Sequence, residues 1–130
     1  MSFDKRYVVW SLGFAAIGMG LWVYMGASQN HSELVAHAHT LLIGFVVSFI
    51  YGIIHRLWLV EPSRAIANFQ FALHQAGALI LMVGLFLLYG NLVAQQTLDP
   101  ILGIGSVLVL LAMLTMIYMV IRYGHRKVVA

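Results

Sequence analysis

Four long apolar stretches divide this chain, and charged residues hardly interrupt them. The stretches lie at about residues 7–25, 34–58, 66–89 and 101–121, and each comes close to the roughly 20 residues that a helix needs to cross a membrane. Only 8% of the residues are charged, against about 25% in a soluble domain, so the chain cannot cover a water-facing surface. We therefore expect an all-α integral membrane protein, a single domain of four transmembrane helices over residues 1–130.

The first apolar stretch starts close to the N-terminus, where a secretory signal peptide would also lie. The stretch is long enough to span the membrane, and the small residues after it make a weak cleavage signal. We therefore expect it to remain in the protein as the first transmembrane helix.

The basic residues are distributed unevenly about these stretches. They precede the first, surround the connection between the second and third, and follow the fourth: Lys5, Arg6, Arg56, Arg64, Arg122, Arg126 and Lys127. With four spans all of them fall on one side of the membrane, whereas Glu33 and Asp99 lie on the other. The positive-inside rule then predicts cytoplasmic N- and C-termini in a bacterial inner membrane. Seven basic residues against four acidic ones give no reason to expect a nucleic-acid partner, so the expected surroundings are the lipid bilayer.

Two histidines near the start of the second stretch carry the strongest chemical signal. His37 and His39 lie among apolar residues, and imidazoles are costly in hydrocarbon and usually functional there. Residues two positions apart on a helix point to nearly opposite sides, because each residue turns the helix by about 100°. The pair therefore indicates a helix between two cofactor pockets. The alternative is an interfacial pair that hydrogen-bonds to water or to neighbouring helices.

Haem is the cofactor that best suits this pair. Neutral imidazole ligates haem iron, copper or zinc, but zinc and copper need three or four ligands, and only His31 and Glu33 lie near enough in sequence to help. Haem needs one or two axial ligands, and its porphyrin is apolar. The chain has no cysteine, which excludes thiolate metal sites, iron–sulfur clusters and covalent c-type haem. We therefore expect haem b with His37 and His39 as iron ligands.

Two further residues of the second stretch are candidate haem contacts. Thr40 could hydrogen-bond to the outer nitrogen of an imidazole. Gly44 lies two helical turns from Gly52 on one face, which suits close helix packing or contact with a flat macrocycle.

The remaining histidines have simpler interpretations. His55 and His74 are expected at similar depth, as a second site, a proton path or, with better support, interhelical hydrogen bonds. His31 and His125 are expected on the surface.

The segment from His37 to Gly44, together with Gly52 and His55, resembles the tenth helix of the catalytic subunit of haem–copper oxidases. Its spacing is closest to the nitric oxide reductase branch, and residues 69–77 are loosely similar to the family's next helix. The resemblance implies that one histidine of the pair binds a low-spin haem and the other a high-spin haem. It also implies a helix that enters from the outer face, in agreement with the charge distribution.

The family's catalytic subunit has about twelve helices in three arcs of four about a pseudo-threefold axis, and the helices that supply its copper or non-haem iron ligands have no counterpart here. Three copies of a four-helix chain would rebuild that layout. The resemblance and the helix geometry therefore predict a homotrimer, in which His37 of one copy and His39 of the next bind one haem.

The function expected from these observations is electron transfer by a membrane-bound cytochrome b with a redox partner or respiratory complex, and with no catalytic residues assigned. One alternative is a five-coordinate haem that binds or reduces oxygen or nitric oxide. The other is a cofactor-free accessory subunit of a respiratory complex.

Overall fold

A computed structural model describes residues 1–125, and almost all of them are helical. Four long helices follow one another, Phe3–Ser28, Leu34–Leu57, Arg64–Tyr89 and Gln95–Tyr123, which we call the first to fourth helices. Each is long and apolar enough to cross a membrane, which confirms an all-helical chain with four helices capable of spanning. Arg126 and Lys127, used above for the orientation, lie outside the described residues.

The fourth helix begins earlier than the sequence predicts. Asp99 and Pro100, which precede the fourth apolar stretch at about residues 101–121 and are typical of a turn, lie inside the helix that starts at Gln95. Proline has no backbone N–H for the carbonyl four residues earlier, that of Gln96. Gln96 is exposed near the helix end, where water can bond to that carbonyl, so the helix passes through the proline.

The helices alternate in direction, and contacts at both ends fix this arrangement. At one end Asp4 of the first helix pairs with Arg56 of the second at 3.8 Å, and the Val60 N–H donates to the Tyr123 carbonyl at 3.0 Å. We call this the basic end, because the basic residues of the described chain all lie near it: Lys5, Arg6, Arg56, Arg64 and Arg122. At the opposite end the Glu33 side chain lies against Gly90.

Neighbouring helices pack in chain order, the first on the second, the second on the third and the third on the fourth. Glycines bring the first two together. A Cβ on Gly44 would lie 2.5 Å from the ring of Phe14, and one on Gly18 would lie 2.6 Å from Leu41. A side chain at either position would push these helices apart.

Polar side chains lie within this largely apolar bundle. Tyr7, Ser48, Gln70 and His74 are all completely buried. The Tyr7 hydroxyl donates to Gln70 Oε1, while Gln70 Nε2 donates to the Ala112 carbonyl at 3.3 Å. Such bonds between helices hold their register where hydrocarbon offers no competing partners.

Candidate functional site

A π-helical segment, Thr40–Val47, begins directly after His39. π-Helical segments are rare and occur often at functional sites. Here the segment faces the third helix, because His74 Nε2 lies 3.2 Å from the Ile43 carbonyl and 3.0 Å from Ser48 Oγ. The irregular part of the second helix thus lies between the histidine pair and a buried imidazole of its neighbour.

His37 points from the second helix towards the first. Its Nδ1 lies 2.7 Å from the Gly18 carbonyl oxygen, and its ring centre is 5.5 Å from that of Trp22. A carbonyl oxygen only accepts hydrogen bonds, so Nδ1 carries the proton and Nε2 has the free lone pair. Within residues 1–125 no protein group hydrogen-bonds to that Nε2.

His39 is fixed in the same way by its own helix. Its Nδ1 lies 2.9 Å from the Val35 carbonyl oxygen, one turn earlier. Nδ1 therefore donates here too, and Nε2 has the lone pair. The imidazole is exposed on the surface of the chain, whereas that of His37 is half-buried.

The two imidazoles are not brought together. Both belong to the regular α-helical section Leu34–His39, so their directions differ by roughly 200° around the helix axis. One lies against the first helix and the other on the open surface. The structure therefore presents two separate imidazole Nε2 atoms that face in different directions, within the first two turns of the second helix.

Thr40 and Gly44 serve the fold in this structure. The Thr40 hydroxyl donates to the Ala36 carbonyl at 2.7 Å, while the carbonyls of Gly18 and Val35 accept from the two imidazoles. A role of Thr40 beside a cofactor stays a prediction. Gly44 is buried against Phe14, which is the close helix packing that its spacing allowed. A contact of Gly44 with a cofactor stays a prediction.

Glu33 lies just before the second helix, one turn from His37, and is only 3% exposed. Its Oε2 has no hydrogen-bond partner among the described residues. Burial raises the pKa of this carboxyl above its usual range, because the charged form loses its hydration. The charged form of Glu33 is therefore less favourable at this end of the second helix than it is in water.

His55 and His74 belong to different surroundings. His74 forms the interhelical hydrogen bonds described above, and its ring edge contacts Tyr51 with the centres 4.9 Å apart. His55 stacks on Phe3 at 5.3 Å and on Tyr7 at 5.6 Å. No common site of these two histidines is formed. His31 and His125 are both exposed, as expected.

The groups that orient the two imidazoles were not predicted from the sequence. A carbonyl four residues before His39 is a regular helical partner, but the role of Gly18 depends on how closely the first two helices approach. In the part of the chain that the structure describes, no three His, Asp or Glu side chains group together as a metal site. Comparisons with protein-family models, with curated proteins and with solved structures find no match for this chain.

Proposed function

We propose that this protein is a membrane-bound b-type cytochrome in which His37 and His39 ligate haem iron and pass electrons. The observation that carries the proposal is the state of both imidazoles. Each Nδ1–H is donated to a backbone carbonyl, and each Nε2 is left with its lone pair. Metal-binding histidines are usually held in this way, because a hydrogen bond from the other ring nitrogen sets the tautomer and raises the basicity of the nitrogen that binds the metal.

The residues around the pair suit an apolar macrocycle. Exposed leucine, valine and phenylalanine side chains continue the face of the second helix on which His39 lies. A bound haem would supply one-electron chemistry at its iron. The chain's own residues would fix the ligand orientation, keep water away and provide the low dielectric that shifts the potential. The resemblance of residues 37–55 to the haem-binding helix of haem–copper oxidases supports the same assignment.

The opposed directions of the His37 and His39 imidazoles support a homotrimer in which each haem is shared between two copies. One imidazole cannot reach the far side of its own helix, so two ligands to one iron must come from two chains. His39 lies in an exposed stripe of the second helix that includes Leu42, Val46, Phe49 and Ile53. An exposed imidazole in such a stripe is costly against lipid, and a neighbouring copy with its haem would cover it.

The charges support a defined direction in the membrane. The basic end of the described chain carries Arg56 and Arg64, and Glu33 lies at the opposite end. By the positive-inside rule we place the basic end in the cytoplasm of a bacterial inner membrane. His37 and His39 would then lie near the outer face, within reach of a redox partner on that side.

Visible spectra of the purified protein, oxidised and dithionite-reduced, test the proposal. We expect a low-spin haem b spectrum that is lost in both His37→Ala and His39→Ala. The matched control is His31→Ala, an exposed loop histidine, which should keep the spectrum. A protein purified without haem despite ample supply, or a spectrum that survives both substitutions, would contradict the proposal.

Two further measurements separate the alternatives. A large and fast spectral shift with carbon monoxide would indicate an open iron position and favour a gas-binding site. Native mass spectrometry in mild detergent is expected to show a haem-loaded trimer, and a monomer with a full complement of haem would exclude sharing between copies.

A further inference from the structure

Arg6, at the basic end of the first helix, is held in place by uncharged neighbours. Its guanidinium carbon lies 4.2 Å from the ring centre of Phe71 and 5.3 Å from that of Phe3. Its Nη1 donates to Asn68 Oδ1 at 3.1 Å. No carboxylate among the described residues pairs with it. These contacts fix a guanidinium in position and leave its charge available to an anion.

A cleft of about 460 Å³ opens beside this guanidinium, lined by Met1, Arg6, Val9 and Trp10. Trp10 is held with its ring edge-on to Phe71, the centres 6.0 Å apart. The cleft therefore has one charged wall and one apolar wall. Arg64 begins the third helix one turn before Asn68, and it is exposed, so the positive charge extends beyond Arg6.

An apolar groove of about 280 Å³ continues from the same two residues, Val9 and Trp10, along the first helix. Gly13 lines this groove, together with Phe14, Ile17 and Leu79. Apart from its chain neighbours and the backbone of its own helix, nothing in the described chain lies within 4 Å of where a Cβ on Gly13 would be. The missing side chain thus leaves a channel that runs from the charged cleft towards the middle of the membrane.

We propose that cleft and groove together bind an anionic phospholipid of the bilayer. The phosphate pairs with the Arg6 guanidinium, for which planar, bidentate contact is favourable. An acyl chain occupies the groove past Gly13. The charge selects an anionic headgroup over a zwitterionic one, and the groove selects a lipid over free phosphate.

The test uses the purified full-length protein and compares binding of phosphatidylglycerol, phosphatidylcholine and inorganic phosphate by native mass spectrometry and thermal shift. We expect phosphatidylglycerol to bind in preference, and Arg6→Gln to weaken it by about tenfold, the effect of one lost hydrogen bond to a charged group. Lys5→Gln removes the same charge from the neighbouring exposed position and should leave the preference nearly intact.

Gly13→Leu tests the groove without touching the charge. It should weaken phosphatidylglycerol binding severalfold, whereas Gly20→Leu, at an equally open position of the same helix, should not. The comparison of Gly13→Leu with Gly20→Leu still tests lipid binding if Arg6→Gln fails to fold. Equal binding of both lipids, equal losses in the matched variants, or inorganic phosphate binding as well as phosphatidylglycerol would overturn the proposal.

Discussion

At the scale of single residues, two backbone carbonyls decide the chemistry of the histidine pair. The Gly18 oxygen bonds His37 and the Val35 oxygen bonds His39, at 2.7 and 2.9 Å. Without these hydrogen bonds, each neutral imidazole could carry its proton on either ring nitrogen. A proton on Nε2 would remove the lone pair with which that nitrogen could bind a metal. The same hydrogen bonds hold the two rings in place, so both Nε2 atoms keep fixed directions.

Glu33 gives a prediction on pH. Its pKa is raised by burial in the folded protein, above an unfolded value of about 4.3. Folding therefore takes up a proton, and the stability gained below the unfolded pKa is lost as the pH rises through the folded pKa. Glu33→Gln resembles the neutral acid and should remove this loss. The check is the thermal midpoint of both proteins between about pH 4 and 7: the wild type should fall relative to the variant, and parallel curves would contradict the account.

His74 gives a prediction on stability. His74→Leu removes the donor to the Ile43 carbonyl and to Ser48 at a completely buried site. We expect a loss of roughly 1–2 kcal/mol in the free energy of unfolding, the upper range for hydrogen bonds between membrane helices. The measurement is reversible unfolding in mixed micelles, with His31→Leu in the exposed loop as the control. Equal stability of both variants would show that the buried imidazole contributes no net stability.

At the scale of the elements, the approach of the first two helices positions the site. Gly44 contacts Phe14, and Gly18 contacts Leu41. Because the helices meet so closely, His37 reaches a carbonyl of the opposite helix rather than its own. Gly18 and Gly44 therefore contribute to the histidine site by allowing the first two helices to approach each other closely.

Gly44→Ala tests this relation. Its Cβ would overlap the Phe14 ring, so we expect a loss of roughly 1–3 kcal/mol and, with it, a weaker contact of His37 with Gly18. Gly20→Ala meets no atom within 4 Å and should be neutral or stabilising by up to about 1 kcal/mol, since alanine is the better helix former. Unfolding midpoints and haem content of the two variants provide the comparison. Equal behaviour would mean that Phe14 moves aside without cost.

The helices themselves follow from the sequence, because long uncharged apolar runs have few alternatives in a bilayer. The direction of the two imidazoles also follows, since both lie in a regular α-helical turn. The π-helical segment after them could not be predicted, because Thr40–Val47 has no charge or proline that would interrupt an α-helix. Its Ile43 carbonyl lies 3.2 Å from His74 of the third helix, a contact that the local sequence does not reveal. Asp99 and Pro100 show the opposite situation. The two residues are typical of a turn, but the fourth helix continues through them.

At the scale of the whole molecule, the proposed haem site needs one imidazole from each of two chains, because the two histidines of one chain point to opposite sides of its second helix. The half-buried His37 and the exposed His39 carry ligand nitrogens in opposed directions. A closed ring of identical copies would bring one nitrogen of each kind together at every interface. This is the central claim of the account, and it requires both histidines and at least two chains for each haem.

Co-expression of His37→Ala and His39→Ala chains tests that claim most directly. Each variant alone should be colourless, because every interface lacks one ligand. In trimers that assemble at random from equal amounts, about a quarter of the interfaces unite an intact His37 with an intact His39, so we expect about a quarter of the wild-type haem absorbance in the reduced-minus-oxidised spectrum. A mixed oligomer that stays colourless, or a single variant that keeps its haem, would contradict ligation shared between copies.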